Sequence, residues 1–549
     1  MSNSMLLSST AASYEEVIGN FAWQIPETFN IASEICDRHA LSMPLATAVI
    51  DDAPGGQSRI CSYADLRDAS CKIAGGLRHL GVTKGTMVAV SLPQSAMALA
   101  VHIACFRLGA ILIPIAGLFS SDGLIYRLTD STAKVMVTDA AGVQKLVDAG
   151  RPEGLQTIIS MDTAPGADLD LLTLQTLGTP VLDAQPMGKD EPAIMFYTSG
   201  TTGAAKGALL AGRMLYAHLP GFQTVFDIAP MPNDIFWTPS DWAWLGSLEV
   251  VYPACYFGCP VVASASRFSL EQTYRILSEQ KVSCTFLAPT VLRRMRGNPP
   301  PETMEFSLRA VSTGGEALAK EVREWALTRL GASLNDNFGL TEANHLAQGC
   351  QRLFDTPQGA IGLPVVGRNV AIVDPQGQRV APGALGEMVM DLNDPIVMLG
   401  YWNKPEKTCE KMHDGWFWTG DIGYQDAKGY VYFASRDDDM LKVAGMQVAA
   451  EEVEKALLSH GQVVEAGVCG IYDKQGEPSI ATFIRLKSAP AEPLVLADEL
   501  RQLVRQRVAA HAYPRVVEFV RFFPMTSTGK TQRNELRRLY ESDLVAQLR

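Results

Sequence analysis

The sequence predicts an α/β protein. A large N-terminal lobe of parallel and mixed sheets covered by helices is followed by a small, mobile α+β C-terminal domain. Three observations carry that prediction. Through about residue 430, short β-rich runs alternate with helical patterns. A charged, non-periodic stretch, Arg436-Asp437-Asp438-Asp439, then breaks the alternation. After it comes a unit of about 110 residues, a normal size for an independently moving domain. The division is therefore a lobe over 1–435, a hinge over 436–439 and a small domain over 440–549.

The elements follow in order. Residues 87–90 read as a strand, 97–108 as a buried helix, and 110–114, 135–138 and 157–160 as further strands. Residues 260–263 and 284–287 continue the pattern. Apolar runs of this length, separated by Gly and Pro, suggest parallel strands covered on both faces. Segment 97–119 is the one stretch apolar enough to suggest a membrane span, but it contains His102, Arg107, Gly109 and Pro114, so helix-then-strand fits better. Residues 298–302 (NPPPE) read as a rigid surface loop. In the small domain, 451–460 reads as an amphipathic helix stopped by Gly461. Strands over 463–472 and 480–486, a helix over 497–510, a strand over 516–523 and a terminal helix over 532–548 complete it.

Composition narrows the class. Apolar residues are 47% and charged residues 19%, which permits an ordinary core and excludes wholesale disorder. Lys plus Arg total 47 against 59 for Asp plus Glu, a net charge of −12. That argues against nucleic acid as a partner, because phosphate-backbone binding needs a basic face. The ten cysteines are scattered without a CxxC, and buried free thiols in a reduced compartment are expected. The first residues, MSNSMLLSSTAASYEE, have no basic start and do not read as a signal peptide, so a cytoplasmic protein is expected.

The sharpest local feature is YTSGTTGAAKG, residues 197–207. Thr198, Ser199, Thr201 and Thr202 supply hydroxyls, Gly200, Gly203 and Gly207 allow backbone N–H groups to approach an anion, and Lys206 adds charge. Placed after the apolar run 193–196, this is a recipe for a polyphosphate cradle; a flexible Gly/Thr turn is the plain alternative. It is not a Walker loop, since Lys206 neither follows glycine nor precedes Ser or Thr. Near the other end, Thr526 to Thr531 finishes in GKT, but Pro524 stands where a Walker loop needs glycine.

With these motifs in order, the chain is identified as a member of the adenylate-forming (ANL) superfamily of acyl-CoA synthetases, adenylation domains and luciferases. In pattern it resembles the medium-chain acyl-CoA synthetases. The match runs from about Phe29 onward. YTSGTTGAAKG is similar to the family's phosphate loop, with Ala205 where proline is usual. Thr313-Gly314-Gly315-Glu316-Ala317 resembles the loop that packs on adenine. Asn335 to Glu342 resembles the segment ending in Thr-Glu, and Trp418-Thr419-Gly420-Asp421 the ribose-binding segment. Arg436 to Asp439 resembles the hinge, and Pro524 to Arg533 the segment holding a catalytic lysine.

The resemblance implies ATP, Mg²⁺ and coenzyme A as cofactors, a small carboxylic acid as substrate, and either a monomer or a homodimer. It implies that a carboxylate joins the α-phosphate of ATP with loss of pyrophosphate, and that a thiol then takes the acyl group. Charge gathers at phosphorus in the first step, so cations and donors are required rather than a base. The implied roles are Lys530 bridging the reacting carboxylate and phosphate oxygens, Thr341 at the α-phosphate and Glu342 as the Mg²⁺ ligand. Asp336 faces the adenine amine, with Asn337, Phe338, Gly315, Glu316 and Ala317 around the base. Asp421 accepts the ribose hydroxyls and Arg436 lies near them. Asp438 is the hinge residue, about which the small domain turns after adenylation, and Gly445 borders the pantetheine path, where close main-chain approach favours glycine.

Departures from the family pattern also inform. Gln447 stands where many relatives have arginine, which puts one phosphate contact in doubt, and Phe338 replaces a tyrosine or tryptophan. Gly339 stands where acetate-specific relatives close the acyl pocket with tryptophan, so room for a larger acyl group is expected. Trp237, Trp242 and Trp244, with Gly246 and Gly314, are further pocket candidates; ordinary core aromatics are the alternative for Trp237 and Trp242. Asp241 is a candidate anchor for a substrate amine. The expected function is an AMP-forming acid–thiol ligase for a medium-chain, branched or aromatic acid. The alternatives are an enzyme loading a carrier-protein pantetheine, and a degenerate nucleotide-binding scaffold.

Overall fold

A computed structural model describes residues 7, 11–53, 58–198, 205–315, 318–436, 440–443, 446–472, 478–508, 512–525, 531–542 and 544–548. Among the described residues, two large sheets dominate the N-terminal lobe. The first runs Gly400–Tyr401, Lys206–Ala211, Pro192–Thr198, Ile111–Pro114, Met87–Ser91, Val135–Thr138, Thr157–Ser160 and Leu169–Asp170. From Pro192–Thr198 outward the neighbours are parallel; Lys206–Ala211 and Gly400–Tyr401 add antiparallel pairings at one edge. The second sheet has a parallel core, Ser333–Leu340, Ala310–Gly314, Cys284–Phe286, Phe236–Trp237, Val261–Ser264 and Thr47–Asp52. Asn344–Gln348 folds back antiparallel on Ser333–Leu340.

Three helices with no polar face explain why the sheets come together. Ala96–Arg107, Met214–Val225 and Leu245–Tyr256 are buried along nearly their whole lengths. An all-apolar helix can exist in water only when covered on every side. Their side chains join residues of both sheets, such as Val88, Leu112, Val49, Val261 and Ala310, in one continuous core. The stretch read as helix-then-strand is Ala96–Arg107 followed by Ile111–Pro114, with Ser95 capping the helix by accepting from Ala98 N. Gly109 makes the turn between them at φ +66, a left-handed conformation that glycine adopts without strain. No helix among the described residues is long and apolar enough to cross a membrane.

A third sheet of Val370–Val373, Gly386–Asp391, Trp416–Gln425 and Met412–His413 follows, with Val431–Arg436 paired to Trp416–Gln425. The C-terminal unit has the helix Ala450–Leu458, the hairpin Val463–Tyr472 with Pro478–Leu486, and Val516–Phe519 parallel to the latter. Its helix Pro493–Arg507 starts four residues earlier than the sequence pattern indicates, because Pro493 initiates it. The terminal helix read over 532–548 is split into Arg533–Glu541 and a short 3₁₀ turn, Val545–Leu548.

Arg107 shows how the core holds a charge. It is fully buried and donates to Asp37 at 2.5 and 3.0 Å and to the Leu182 carbonyl at 3.0 Å. Arg67 also reaches Asp37, at 3.3 Å. Removing one partner of a buried pair costs about 3–5 kcal/mol because the other is left uncompensated. Arg107→Met is expected to lose about 3 kcal/mol in denaturant unfolding, the low end because Arg67 remains. A loss under about 1 kcal/mol would show that Arg67 alone satisfies Asp37.

Candidate functional site

Ligands of open parallel sheets collect at the carboxyl ends of the strands, where the strand order changes direction. Here Pro192–Thr198, Ala310–Gly314 and Ser333–Leu340 each end in one of the sequence motifs. Each also lies beside the point where its sheet passes from parallel to antiparallel pairing, or next to the strand that does.

Thr198 and Lys206 face each other across the hairpin, Thr198 Oγ1 donating to the Lys206 carbonyl at 3.5 Å. The Lys206 ammonium lies over the Tyr401 ring, 4.7 Å from its centroid. The Tyr401 hydroxyl donates to Glu342 Oε1 at 2.6 Å, and Glu342 is buried. Burial holds the Lys206 amine below the ordinary lysine value, with Glu342 acting the other way. A second tie joins the same segments: Met398 N donates to the Glu342 carbonyl at 2.9 Å and Trp402 N to the Gly207 carbonyl at 2.8 Å. Glu342 therefore sits beside Lys206 because an edge strand, Gly400–Tyr401, is laid between them. Thr341, half-buried, precedes it.

Asp336 lies on Ser333–Leu340 and is paired with Arg323 through Oδ2. Its Oδ1 is buried with no hydrogen-bond partner among the described residues. Burial pushes this carboxyl up to about 6, against the lowering pull of Arg323. An orphaned acceptor of this kind fits a ligand N–H such as an adenine amine. Asn337 Nδ2 donates to Ser312 Oγ at 2.7 Å. The Phe338 ring packs on Phe433 at 5.7 Å, which ties this strand to the third sheet. Phe433 lies on Val431–Arg436, and in that sheet Asp421 is buried with its backbone opposite Arg436. Asp421 N donates to Thr419 Oγ1 at 3.0 Å. Gly420, at φ +80, leaves space that Lys411 Nζ occupies 2.8 Å from where a Cβ would stand. The structure thus gathers Thr198, Lys206 and Glu342 directly, and links Asp336, Phe338 and Asp421 through packed neighbours. Ser199, Gly200, Thr201, Thr202, Gly203, Glu316, Ala317, Asp438, Gly445 and Lys530 lie outside the described residues.

The pocket candidates need correction. Gly339 opens no space. A Cβ there would collide with the Asn344 carbonyl and stand 2.8 Å from His345 N, so the glycine permits close approach of two backbones at a bulge. Trp237 belongs to the core with Tyr274, Leu292 and Val311, and Trp242 to the main core. Both were ambiguous because an aromatic-rich run reads alike in a core and in a pocket. Trp244 is half-buried against Phe119 at 5.9 Å. Asp241 accepts from Ala243 N at 2.9 Å, and burial raises its carboxyl above the ordinary range. A Cβ on Gly246 would stand in ordinary van der Waals contact with Glu249 Oε1 at 3.9 Å and Phe286 at 4.0 Å, so this glycine is not forced by its surroundings. A Cβ on Gly314 would strike the Asn337 side chain.

Sequence reasoning missed Tyr401, Arg323 and a polar group around a small cavity of about 10 Å³. His218, Glu249, Ser312, Asn344 and His345 line it with Phe222. Glu249 accepts from His345 Nε2 at 2.9 Å and from Asn344 Nδ2 at 3.1 Å. One signal was present: Glu249 is the lone acid in the otherwise apolar helix LGSLEVVYPACY. Tyr401 had no such mark, since its partnership with Glu342 spans 59 residues.

Comparison with known proteins identifies the family. A family model described as AMP-binding enzyme matches residues 36–402, and its C-terminal domain model matches 452–530. The acetyl-coenzyme A synthetase of Bacillus subtilis (strain 168) is 30% identical, over 95% of this chain and 94% of its own. Among solved structures, an acyl-CoA synthetase of Brucella canis is 27% identical with a TM-score of 0.75, covering 97% of this chain and 100% of that one. A benzoate CoA ligase from Burkholderia xenovorans LB400 is 26% identical with a TM-score of 0.80, covering 93% and 100%. The chain belongs to the AMP-binding enzyme family, the adenylate-forming superfamily that includes the AMP-forming acid–thiol ligases.

Proposed function

We propose that this protein joins a medium-chain, branched or aromatic carboxylic acid to coenzyme A, with ATP converted to AMP and pyrophosphate. The observation that carries the reading is the convergence of Lys206, Tyr401 and Glu342 at the strand ends that bear the motifs. A carboxylate is a poor electrophile, and joining it to the α-phosphate makes the acyl carbon reactive. The protein's part is to offset negative charge at phosphorus with fixed donors and cations in a desolvated place. Lys206 contributes charge toward the phosphates with the 198–203 loop. Glu342 would hold Mg²⁺, which would supply positive charge against the phosphates. Thr341 contacts the α-phosphate. Asp336 accepts from the adenine amine through its unpartnered Oδ1, and Asp421 from the ribose hydroxyls.

Lys530, on the domain over 440–549, completes adenylation by bridging carboxylate and phosphate. Rotation about 436–439, with Asp438 as pivot, then withdraws it and opens a pantetheine path past Gly445. The backbone pairing of Asp421 with Arg436, the residue just before 437–439, supports a hinge close to the ribose acid. An acid larger than acetate is supported by the likeness to the benzoate CoA ligase. The curated relatives named acetyl-CoA synthetase set the other end of the size range. Free CoA as the acceptor is consistent with the cytoplasm as the place of action.

Pyrophosphate release across a panel of acetate, medium-chain, branched, benzoic and amino acids, with and without CoA, tests the reading. Acid-dependent release accelerated by CoA, with thioester formed, is expected. Release indifferent to CoA would favour a carrier-protein pantetheine as acceptor. Lys530→Ala should slow adenylation by on the order of 10²- to 10³-fold, as loss of a charge-stabilising group does. Thiol transfer from supplied acyl-adenylate should change far less, and equal losses in both steps would overturn the assigned role.

Tyr401→Phe removes the donor that orients Glu342 and leaves the carboxylate in place. The Mg²⁺ concentration for half-maximal rate should rise about tenfold, the usual size of such a supporting effect. An unchanged requirement would mean that Glu342 does not hold the metal or is fixed by its backbone alone.

A further inference from the structure

The cavity of about 10 Å³ lies where the helices Met214–Val225 and Leu245–Tyr256 meet Ala310–Gly314 and Asn344–Gln348. His218 and Phe222, four residues apart, present one helix face to it, and Glu249 presents another. None of the three candidate glycines lines it, but each neighbours a lining residue or that residue's partner. Gly246 stands one turn before Glu249 and faces its carboxylate. Gly314 abuts Asn337, whose amide reaches Ser312, and Gly339 abuts the backbone of Asn344 and His345. Through Ser312 and Asn344 the cavity adjoins the segments that carry Asp336 and Glu342.

Its polar groups are not equally engaged. The Glu249 carboxylate accepts from His345 and Asn344. His345 Nδ1 faces Gln348 Oε1 at 3.1 Å, and the amide nitrogen of Gln348 donates to the Gly221 carbonyl at 2.9 Å, which fixes that amide's orientation. Arg368, the nearest other cation acting on His218, is fully buried and donates to Asp394 at 2.7 Å. His218 is different. It is 3% exposed, and neither ring nitrogen has a hydrogen-bond partner among the described residues. Burial first, then Arg368 and His345, push it well below its ordinary value, so the ring is neutral, with one N–H donor and one lone pair. Leaving both unmet in a dry interior is costly, and native interiors normally satisfy such groups.

We infer that the acid activated here carries a hydroxyl at the end remote from its carboxyl, and that His218 in this cavity reads it. This rests on the ligase reading above. A hydroxyl is the smallest group that both donates and accepts, and it suits a cavity with space for about one water-sized group. An ammonium would need a free carboxylate oxygen, but both oxygens of Glu249 already have partners in His345 and Asn344. A second carboxylate would need a free cation, but Arg368 is matched by Asp394. A plain alkyl end would leave the imidazole unsatisfied, and a site built around a hydrogen bond discriminates strongly against an analogue lacking it.

The test uses the full-length enzyme and matched acids: butanoate with 4-hydroxybutanoate, and benzoate with 3- and 4-hydroxybenzoate. Aminobenzoates and dicarboxylates form the comparison arms. The wild type should favour a hydroxylated member over its parent by at least about tenfold in kcat/KM. His218→Leu should bring that ratio to about one or below, while ATP still raises the melting temperature. His218→Gln, which keeps a donor and an acceptor, should retain part of the preference, and it carries the test if the leucine variant does not fold. A wild-type ratio near one in every pair would mean the cavity holds only water and would overturn the inference. So would a ratio unchanged in His218→Leu, or a preference for the amino or dicarboxylic acids. In each of those cases the ligase reading stands; no release with any acid would remove both.

Discussion

The structure depends on one constraint: three helices that offer water no polar face must be enclosed. Ala96–Arg107, Met214–Val225 and Leu245–Tyr256 are enclosed by stacking two separate parallel sheets against them. Once the sheets are stacked, the strand ends that carry Thr198, Gly314 and Leu340 are brought toward one region. The site is thus a by-product of how the core is covered. Its polar residues stand at strand ends, where backbone groups leave the ladders and ligands can approach.

The same enclosure sets the electrostatics. Lys206, Glu342 and Asp336 lie in poorly solvated surroundings, so each interaction there counts for more than it would in water. A tyrosine ring beneath Lys206 and a tyrosine hydroxyl on Glu342 come from one residue, so Tyr401 couples the loop lysine to the Thr-Glu segment. Asp336 is held half-satisfied, with Arg323 on one oxygen and nothing described on the other. An acid left in that condition by the fold is prepared for a donor that arrives with a ligand.

Much of this was legible in the sequence because it is local. The helix at 97–108 was visible as an apolar run too polar to cross a membrane, and the phosphate loop as glycines and hydroxyls around one lysine. What was not legible is what depends on distant packing. The register of Gly400–Tyr401 beside Lys206–Ala211 decides that Tyr401 meets Glu342, and no local pattern encodes that pairing. Gly339 was misread for the same reason: its neighbours are the carbonyl of Asn344 and the amide of His345, set by a bulge between two strands. Trp237 and Trp242 were undecided because hydrophobicity does not say which side of a sheet faces a cavity.

The residues that set specificity in such a scaffold have to be sought among the enclosed helices. Helices wrapped on all sides tolerate any apolar residue of suitable volume, so a charged or titratable side chain on them needs a reason. Arg107 has one in Asp37, and His102 has one in the Tyr252 hydroxyl at 2.9 Å. Glu249 has one in His345 and Asn344. His218 shares the helix environment but has no hydrogen-bond partner among the described residues, and it lines a small cavity. A buried polar group without a partner is destabilising unless something that binds supplies the partner. The lone histidine in MLYAHLPGF is therefore the one of these enclosed groups to which the described residues supply no partner.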